Sequence, residues 1–297
     1  MNITPVNINS EVYQLITDYK DNDHYRQSLN KLTRKTFGFE FENWYKQGYW
    51  KDRYIPHSLL YKEEIVANVS ANTIDFLIDG NLYHTLQIGT VMTEEAFRDK
   101  GLSRYLIDVI LKENEGKCDL IYLYANDTVL NFYPKFGFKE AAEYVHIRQF
   151  KANTSKMVSR KLDMNASTDK DTVSHLVTNT VPASKISMIG NMELDMFYLT
   201  SFMSENIYYI DKLDLIAIAE YNDDGLFLMD VFCEHEFGLD EVINSLVSQD
   251  EMKVTLGFTP MDASDYCCGI LKEEGTTFFI KGEDIFKNGK FPLLSHA

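Results

Sequence analysis

The spacing of hydrophobic positions changes along the first half of the chain, and each change predicts a different type of element. Between residues 10 and 47 apolar side chains recur at roughly helical spacing, which predicts helices, the first capped by Ser10 and the next ended by Gly38. Residues 57 to 93 instead form apolar runs rich in β-branched side chains, separated by polar turns that include an Asp-Gly pair. This pattern predicts three strands in an antiparallel meander.

A helix and a buried strand follow the meander. Residues 102 to 113 place Leu102, Leu106, Val109 and Ile110 on one stripe, which predicts a helix packed on the sheet. The next run, CDLIYLYAND, is continuously apolar, as expected for a strand buried on both faces. A short helix in TVLNFYPKF and a pair of strands, AEYVHIRQF and KMVSRKLD, would complete this part of the chain.

A polar segment of small residues at 164–170 predicts a linker, which divides the chain into domains at residues 1–163 and 164–297. The second domain should contain two helices, a hairpin that turns at Asp-Asp-Gly, a further helix and strand, and a final hairpin around Lys-Glu-Glu-Gly. This order repeats that of the first domain in shortened form. The pattern therefore indicates a mixed α+β fold with a degenerate internal repeat.

Composition limits the partners. The chain has 297 residues and a formal net charge of -16, and most of this charge follows residue 150. Such a charge disfavours nucleic acid and anionic membranes and would attract cationic small molecules or basic peptides, although solubility alone also explains it. No apolar run approaches the roughly 20 residues of a membrane span, which predicts a cytoplasmic protein. The four cysteines lack CxxC spacing, so neither a disulfide framework nor a metal is expected.

The turn before the predicted helix has the chemistry of an anion site. The segment RDKGLSR carries Arg98, Lys100 and Arg104 around Gly101. Unpaired backbone N–H groups and the positive end of the helix dipole converge at such a position, and glycine permits close approach of a ligand. Many such turns bind nothing, and neither the Walker A pattern nor GxGxxG occurs here.

Two ordered motifs resemble the GCN5-related N-acetyltransferase (GNAT) superfamily. In IGTVMTEEAFRDKGLSRYLIDVIL, Arg98, Gly101 and Ser103 match the pattern Arg/Gln-x-x-Gly-x-Gly/Ala, with serine in the last small position as a departure. In NFYPKFGFKE, Tyr133 matches the family tyrosine on a short helix before Gly-Phe. The resemblance covers residues 25 to 163. It implies a splayed, mostly antiparallel sheet flanked by helices, and the second domain would be a smaller α/β unit like a shortened half of this fold.

The resemblance implies acetyl-CoA as cosubstrate. Backbone N–H groups in the basic turn would bind its pyrophosphate, the preceding strand backbone would pair with its pantetheine amides, and an N–H near Met92 would hold the thioester carbonyl. Asn126 would contact the pantetheine or cap the short helix. The implied binding residues are Val91, Met92, Thr93, Arg98, Asp99, Lys100, Gly101, Leu102, Ser103, Arg104 and Asn126.

Direct attack of an amine on the thioester needs a proton donor and a base. By its family position Tyr133 would donate the proton to the departing thiolate, and a core tyrosine is the alternative. No base stands out from the sequence, and the chain's C-terminal carboxylate at Ala297 is one option known from multidomain relatives. The other candidates are Glu40, Glu42, Asp52, His57, His84, Glu94 and Glu95.

The acceptor is predicted only as a class. The segment FENWYKQGYW, which contains Trp44 and Trp50, would line the acceptor pocket by resemblance, or pack a helix on the sheet. The second domain has acids, in CEHEFGLDEV, where the first has its basic turn. It should therefore not bind CoA and would shape the acceptor cleft or a subunit interface; a homodimer stays open. The two functions that remain are an N-acetyltransferase acting on a small primary amine or basic peptide, with acetyl or a longer acyl donor, and a non-catalytic CoA-sensing or protein-interaction module.

Overall fold

The protein is described by a computed structural model over residues 1–286 and 288–296. Two sheets and six α-helices make up this part of the chain. The strands of the first sheet are β1 (Asn2–Ile8), β2 (Glu11–Thr17), β3 (Tyr54–Tyr61), β4 (Glu64–Ile78), β5 (Asn81–Thr93), β6 (Leu120–Asn126), β7 (Lys139–Glu140), β10 (Ile186–Ile189) and β16 (Thr276–Gly282).

The strands of the second sheet are β8 (Tyr144–Lys151), β9 (Ser159–Lys161), β11 (Ile207–Ile210), β12 (Leu215–Asn222), β13 (Gly225–Cys233), β14 (Glu251–Leu256) and β15 (Cys267–Ile270). The helices are α1 (Asp23–Phe37), α2 (Glu42–Lys46), α3 (Leu102–Glu113), α4 (Ser167–Asn179), α5 (Met192–Ser201) and α6 (Leu239–Leu246). Short 3-10 helices span Glu95–Phe97, Asp127–Val129, Tyr133–Phe136, Asp211–Leu213 and Leu293–Ser295.

The predicted first helix is wrong, because this segment is a strand of a hairpin. Strands β1 and β2 pair along their whole length, and the turn between them consists of Asn9 and Ser10, both at positive φ. Ser10 is thus a turn residue and not a helix cap, and β2 buries Tyr13 on one face of the sheet and Ile16 on the other. The second predicted helix is confirmed as α1, which ends at Gly38 in the left-handed conformation.

The rest of the first half follows its sequence pattern closely. Strands β3, β4 and β5 form the predicted antiparallel meander, and α3 covers residues 102–113 as expected. Its buried stripe contains Leu102, Leu106 and Ile110 together with Ile107, whereas Val109 is only half-buried. This stripe packs on one face of the first sheet, and the aromatic side chains around α1 and α2 pack on the other. Both faces of the sheet are therefore covered.

Strands are exchanged between the two halves of the chain. The predicted pairing of AEYVHIRQF with KMVSRKLD is wrong, because β8 pairs with β14 and β15 while β9 pairs with β11. The predicted final hairpin is also wrong, because β15 joins the second sheet and β16 pairs with β6 in the first. Each half of the chain contains a parallel unit, β5–α3–β6 in the first and β13–α6–β14 in the second. The last strand of each unit pairs with a strand from the other half: β6 pairs with β16, and β14 pairs with β8. The division at residue 163 stays a prediction, but neither segment completes its sheet alone.

We expect a fragment that ends at residue 164 to be insoluble or unfolded. It loses β16, whose seven residues pair with β6 and whose Phe279 is fully buried under the first sheet. A long, apolar edge would then be exposed, which favours aggregation. Circular dichroism and size-exclusion chromatography would check this, with the full chain as control. A monomeric fragment with a cooperative thermal transition would contradict it.

Candidate active site

A cleft opens where β5 and β6 diverge. The two strands pair in parallel over Thr85–Gln87 and Leu120–Tyr122, and their ladder ends there. Each strand nevertheless continues beside its outer neighbour, β5 with β4 as far as Thr93 and β6 with β16 as far as Asn126. The two inner backbone edges are therefore held apart and face each other, with N–H and C=O groups that a ligand can satisfy.

A β-bulge in β5 shapes the wall of this cleft. Asn68 pairs with Met92 and Ser70 pairs with Gly89, so Thr90 and the residue after it oppose a single residue of β4. Thr90 has a φ of 43°, a conformation that is costly for a β-branched residue. Buried partners hold it there: the Asn68 side chain donates to its carbonyl at 3.0 Å, and its own hydroxyl donates to the Ser70 hydroxyl at 2.9 Å. The bulge is thus a fixed feature of the site.

The basic turn lies at the mouth of the cleft. Gly101 is the N-terminal cap of α3 at a φ of 80°, and no side chain caps the first turn of this helix. Its backbone N–H groups and the positive end of its dipole are therefore available to an anion. The hydroxyls of Thr93 and Ser103 lie 2.7 Å apart and join the end of β5 to the turn.

The structure brings most of the predicted cosubstrate residues together. The cleft has a volume of about 770 Å³. The predicted residues that line it are Val91, Met92, Thr93, Arg98, Asp99, Gly101, Leu102, Ser103, Arg104, Asn126 and Tyr133. Lys100 lies outside the lining: its ammonium group is 3.2 Å from Glu11 and 5.0 Å from the Phe97 ring. The basic charge at the mouth therefore comes from Arg98 and Arg104.

Asn126 and Tyr133 approach the cleft from short 3-10 helices that replace the predicted helix. The Asn126 carboxamide accepts hydrogen bonds from the Thr128 N–H and hydroxyl, at 3.0 and 2.8 Å, so it caps the first of these helices. Tyr133 lies on the second and packs against Phe138 and Phe279. Burial raises the pKa of Tyr133 to about 12, so the phenol is protonated at neutral pH and can donate its proton.

The seven predicted base candidates lie away from the cleft lining, and six of them have other partners. The pairs are Glu40 with Arg34, Glu42 with Arg26, Asp52 with Lys20, His57 with Glu113, His84 with Asp75 and Glu94 with Lys35. Glu95 is an exposed residue of a 3-10 helix. Surface acids usually serve such roles. Ala297, the other predicted base, lies outside the described residues.

Three of these pairs also lower the basicity of the acid. The hydrogen bond from Lys35 lowers the pKa of Glu94, and that from Lys20 lowers the pKa of Asp52. Burial alone would raise the pKa of Glu42, but the hydrogen bonds and charges of Arg26 and Lys46 bring it below its usual range. A carboxylate with a lowered pKa is a weaker proton acceptor.

The segment FENWYKQGYW packs in the core, which is the alternative to lining the acceptor pocket that its sequence left open. Trp44 and Trp50 are 2% and 3% exposed and stack on each other with ring centroids 5.5 Å apart. The Trp44 indole donates to the Glu193 carbonyl at 2.8 Å, which links α2 to α5 in the second half of the chain. The aromatic residues of this part of the chain that do line the cleft are Phe37, at the end of α1, and Phe39, two residues later.

Sequence reasoning missed two groups of residues. One is the network that holds the bulge, in which buried Asn68 and Ser70 contact Thr90; polar residues inside the apolar runs of the meander were its only signal. The other is a cluster of Tyr124, Glu143 and His296, which come from distant segments and show no motif in the sequence. Tyr124 lines the cleft.

Within residues 1–286 and 288–296 no helix has the length and hydrophobicity needed to cross a membrane. In the same ranges, no group of three His, Cys, Asp or Glu side chains is arranged to hold a metal ion. The polar groups that line the cleft are backbone groups, hydroxyls, two phenols, a carboxamide, one carboxylate and two arginines.

The cleft thus combines a helix N-terminus, a bulged strand and a splayed parallel strand pair. Residues 20–141 match the family model described as "Acetyltransferase (GNAT) domain". This range includes the basic turn, the bulge and Tyr133. By this match, residues 20–141 form a GNAT acetyltransferase domain. No curated protein matches it in sequence.

Solved structures share the fold over most of the chain. A "Probable N-Acyltransferase" from Enterococcus faecalis has a TM-score of 0.60 at 13% identity, over 91% of this chain and 72% of the other. A GCN5-related N-acetyltransferase from Kribbella flavida gives 0.53 at 13%, over 91% and 71%. Eis1 from Mycobacterium abscessus gives 0.54 at 12%, over 90% and 72%. At such identities the likeness shows the fold, which extends beyond the first domain into the second.

We expect Trp44→Ala to lower the free energy of unfolding by about 3–5 kcal/mol, since it empties a buried aromatic site. Its distance from the cleft lining predicts an unchanged affinity of the folded protein for acetyl-CoA. Denaturant unfolding and calorimetric titration would measure both, with Trp44→Phe as the milder control. A large loss of affinity without a loss of stability would show that the segment does belong to the ligand site.

Proposed function

We propose that the protein transfers an acetyl group from acetyl-CoA to a primary amine of a small molecule or basic peptide, by direct attack of the amine on the thioester. The observation that carries this proposal is the cleft itself. It combines two features: the uncapped N-terminus of α3 at Gly101, and the unpaired backbone edge at the end of β5, beside the bulge. Each part fits one section of acetyl-CoA.

The turn between Arg98 and Ser103 would hold the pyrophosphate. Its backbone N–H groups and the helix dipole attract negative charge, and Arg98 and Arg104 add side-chain charge at the mouth. The Gly101 position is exposed, and a Cβ there would meet only the Asn9 amide at 3.5 Å. The space around the turn is therefore open to a ligand, and it suits the diphosphate of CoA.

The edge of β5 would hold the pantetheine. Val91 to Thr93 lie beyond the last pair with β6, so their inward-facing backbone groups can pair with the two amides of that arm. The bulge at Thr90 re-aims the strand beside Met92, whose N–H would stabilise the charge that develops on the thioester oxygen. Tyr133 would protonate the departing thiolate, a role that its protonated phenol suits.

The acceptor end of the cleft fits a cationic amine. Phe37 and Phe39 line the cleft, and aromatic rings attract ammonium groups by cation–π interaction. The net charge of the chain, -16, also favours approach of a cation over that of an anion. Both features leave the particular amine open, since they recognise charge and not shape.

Binding of acetyl-CoA should depend on Gly101. We expect calorimetric titration of the wild-type protein to give micromolar affinity, and Gly101→Glu to weaken it by at least about tenfold, because a carboxylate would face the pyrophosphate. Gly116→Glu is the matched control: this glycine also has positive φ and open surroundings, and it follows the C-terminal end of the same helix. Equal affinity in both variants would place the ligand elsewhere.

Turnover should depend on the Tyr133 hydroxyl. With an amine found by screening spermidine, tryptamine and lysine-containing peptides for CoA release, we expect Tyr133→Phe to lower kcat by about 100-fold. The affinity for acetyl-CoA should stay within about twofold, because the phenyl ring preserves the packing. Unchanged kcat would reduce Tyr133 to a core residue. Binding without turnover of any amine in the wild-type protein would favour the CoA-sensing alternative.

A further inference from the structure

A buried cluster of three polar side chains adjoins the cleft. The Tyr124 hydroxyl donates to Glu143 Oε1 at 3.1 Å and lies 2.9 Å from His296 Nε2. Because the phenol has only one proton, Nε2 of His296 must carry the proton of the second hydrogen bond. The His296 ring also stacks on the Tyr124 ring with centroids 4.0 Å apart. This arrangement fixes the phenol with its O–H directed at the carboxylate.

The cluster is assembled from three distant parts of the fold. Tyr124 lies on β6, Glu143 lies in the segment that crosses from the first sheet to β8, and His296 follows the last 3-10 helix. The Tyr122 hydroxyl donates to the Ser295 carbonyl at 3.1 Å, which fastens this tail to β6. The site therefore exists only when both halves of the chain are folded.

Glu143 is a buried acid whose surroundings make it more basic than usual. It is 6% exposed, and burial raises its pKa to about 7. The charge of Lys290, the Phe291 N–H at 2.9 Å and the Tyr124 hydroxyl oppose this shift, while the charge of Glu273 adds to it. Burial and the charge of Lys290 lower the pKa of His296 well below its usual value, so the imidazole is neutral. Glu143 is thus the group of the cluster that can change charge near neutral pH.

Tyr124 separates the cleft from a second depression. We call this depression the side groove; its volume is about 270 Å³. It is lined by Tyr124, Glu143, residues 141–142, 270–273 and 276–278. Tyr124 lines both spaces, and its hydroxyl contacts Glu143, so this side chain is the link between the cleft and the buried carboxylate.

We infer that Glu143 is the proton acceptor for the acceptor amine, which it reaches through the Tyr124 hydroxyl. This inference rests on the proposed function. Among the described residues, the cleft lining itself offers only Asp99 as a carboxylate, and Asp99 lies at the pyrophosphate end. Tyr124 touches the substrate in this scheme, while Glu143 and His296 act through it.

The proton transfers balance. The ammonium form of the acceptor gives one proton to the Tyr124 oxygen as Tyr124 gives its own to the Glu143 carboxylate, so no phenolate forms. Burial, with the negative charge of Glu143, raises the pKa of Tyr124 well above its usual value, which favours this concerted exchange. The neutral amine then forms the C–N bond as the C–S bond breaks. The nitrogen loses its second proton to solvent, the thiolate takes one from Tyr133, and Tyr133 and Glu143 return to their starting states through water.

The test compares Glu143→Gln with wild type across pH, using the screened amine that wild type turns over fastest. Glutamine keeps the oxygen that accepts from Phe291 and Tyr124, so the fold should be preserved. We expect kcat/KM of wild type to fall as pH drops below about 7, where Glu143 becomes protonated. The variant should lose about 100-fold at pH 7 and recover as the pH approaches the pKa of the free amine. Tyr124→Phe should behave in the same way.

Controls separate this role from a structural one. Glu140→Gln alters an exposed acid three residues away and should keep the wild-type profile. Glu143→Gln and Glu140→Gln, whose residues lie outside the cleft lining, should bind acetyl-CoA as wild type does. A Glu143→Gln enzyme with the wild-type profile would overturn the inference and leave the proposed function intact, and so would a loss that is constant with pH. Failure of the wild-type protein to turn over any amine would overturn both.

Discussion

The cleft that we propose as the active site depends on the early end of one parallel strand pair. After three residue pairs β5 and β6 part, and each is held by an outer neighbour that continues past the point of divergence. Backbone groups inside a protein normally satisfy each other, so two facing edges without a common ladder amount to a binding site for anything that carries amides. The bulge, the basic turn and Tyr133 all line this opening.

The outer neighbour of β6 comes from the far end of the chain. Strand β16 supplies seven residues of pairing to β6, and it continues into a tail that packs beneath the same strand. In return β8, from the first half, completes the second sheet beside β14. The two halves are therefore coupled through strand pairing and a shared core, and the catalytic cleft cannot be treated as the property of the first half alone.

The charged groups around the cleft are distributed unevenly. Arg98 and Arg104 lie at the mouth beside a helix N-terminus, in an otherwise acidic protein, and make this the end suited to phosphate. The cleft is also lined by the aromatic rings of Phe37 and Phe39, and the buried acid Glu143 contacts it only through Tyr124. Several acids that the sequence offers as bases form ion pairs with lysine or arginine, and these pairs lower the pKa of Glu42 and Glu94. The pKa of Glu143 is instead raised to about 7, because this carboxylate is buried.

The sequence by itself determined the parts of this protein whose signals are local. The meander, α1 with its Gly38 end, α3 and the basic turn all follow from periodicity, caps and turn residues within about 15 positions. The tertiary structure alone decided which strands pair and which side chains meet. The β1–β2 hairpin was missed because a short apolar run fits a helix or a strand equally well. The exchange of β8 and β16, the bulge network and the Tyr124–Glu143–His296 cluster were missed because they join residues up to 172 positions apart, and contacts between distant segments leave no periodic trace in a single chain.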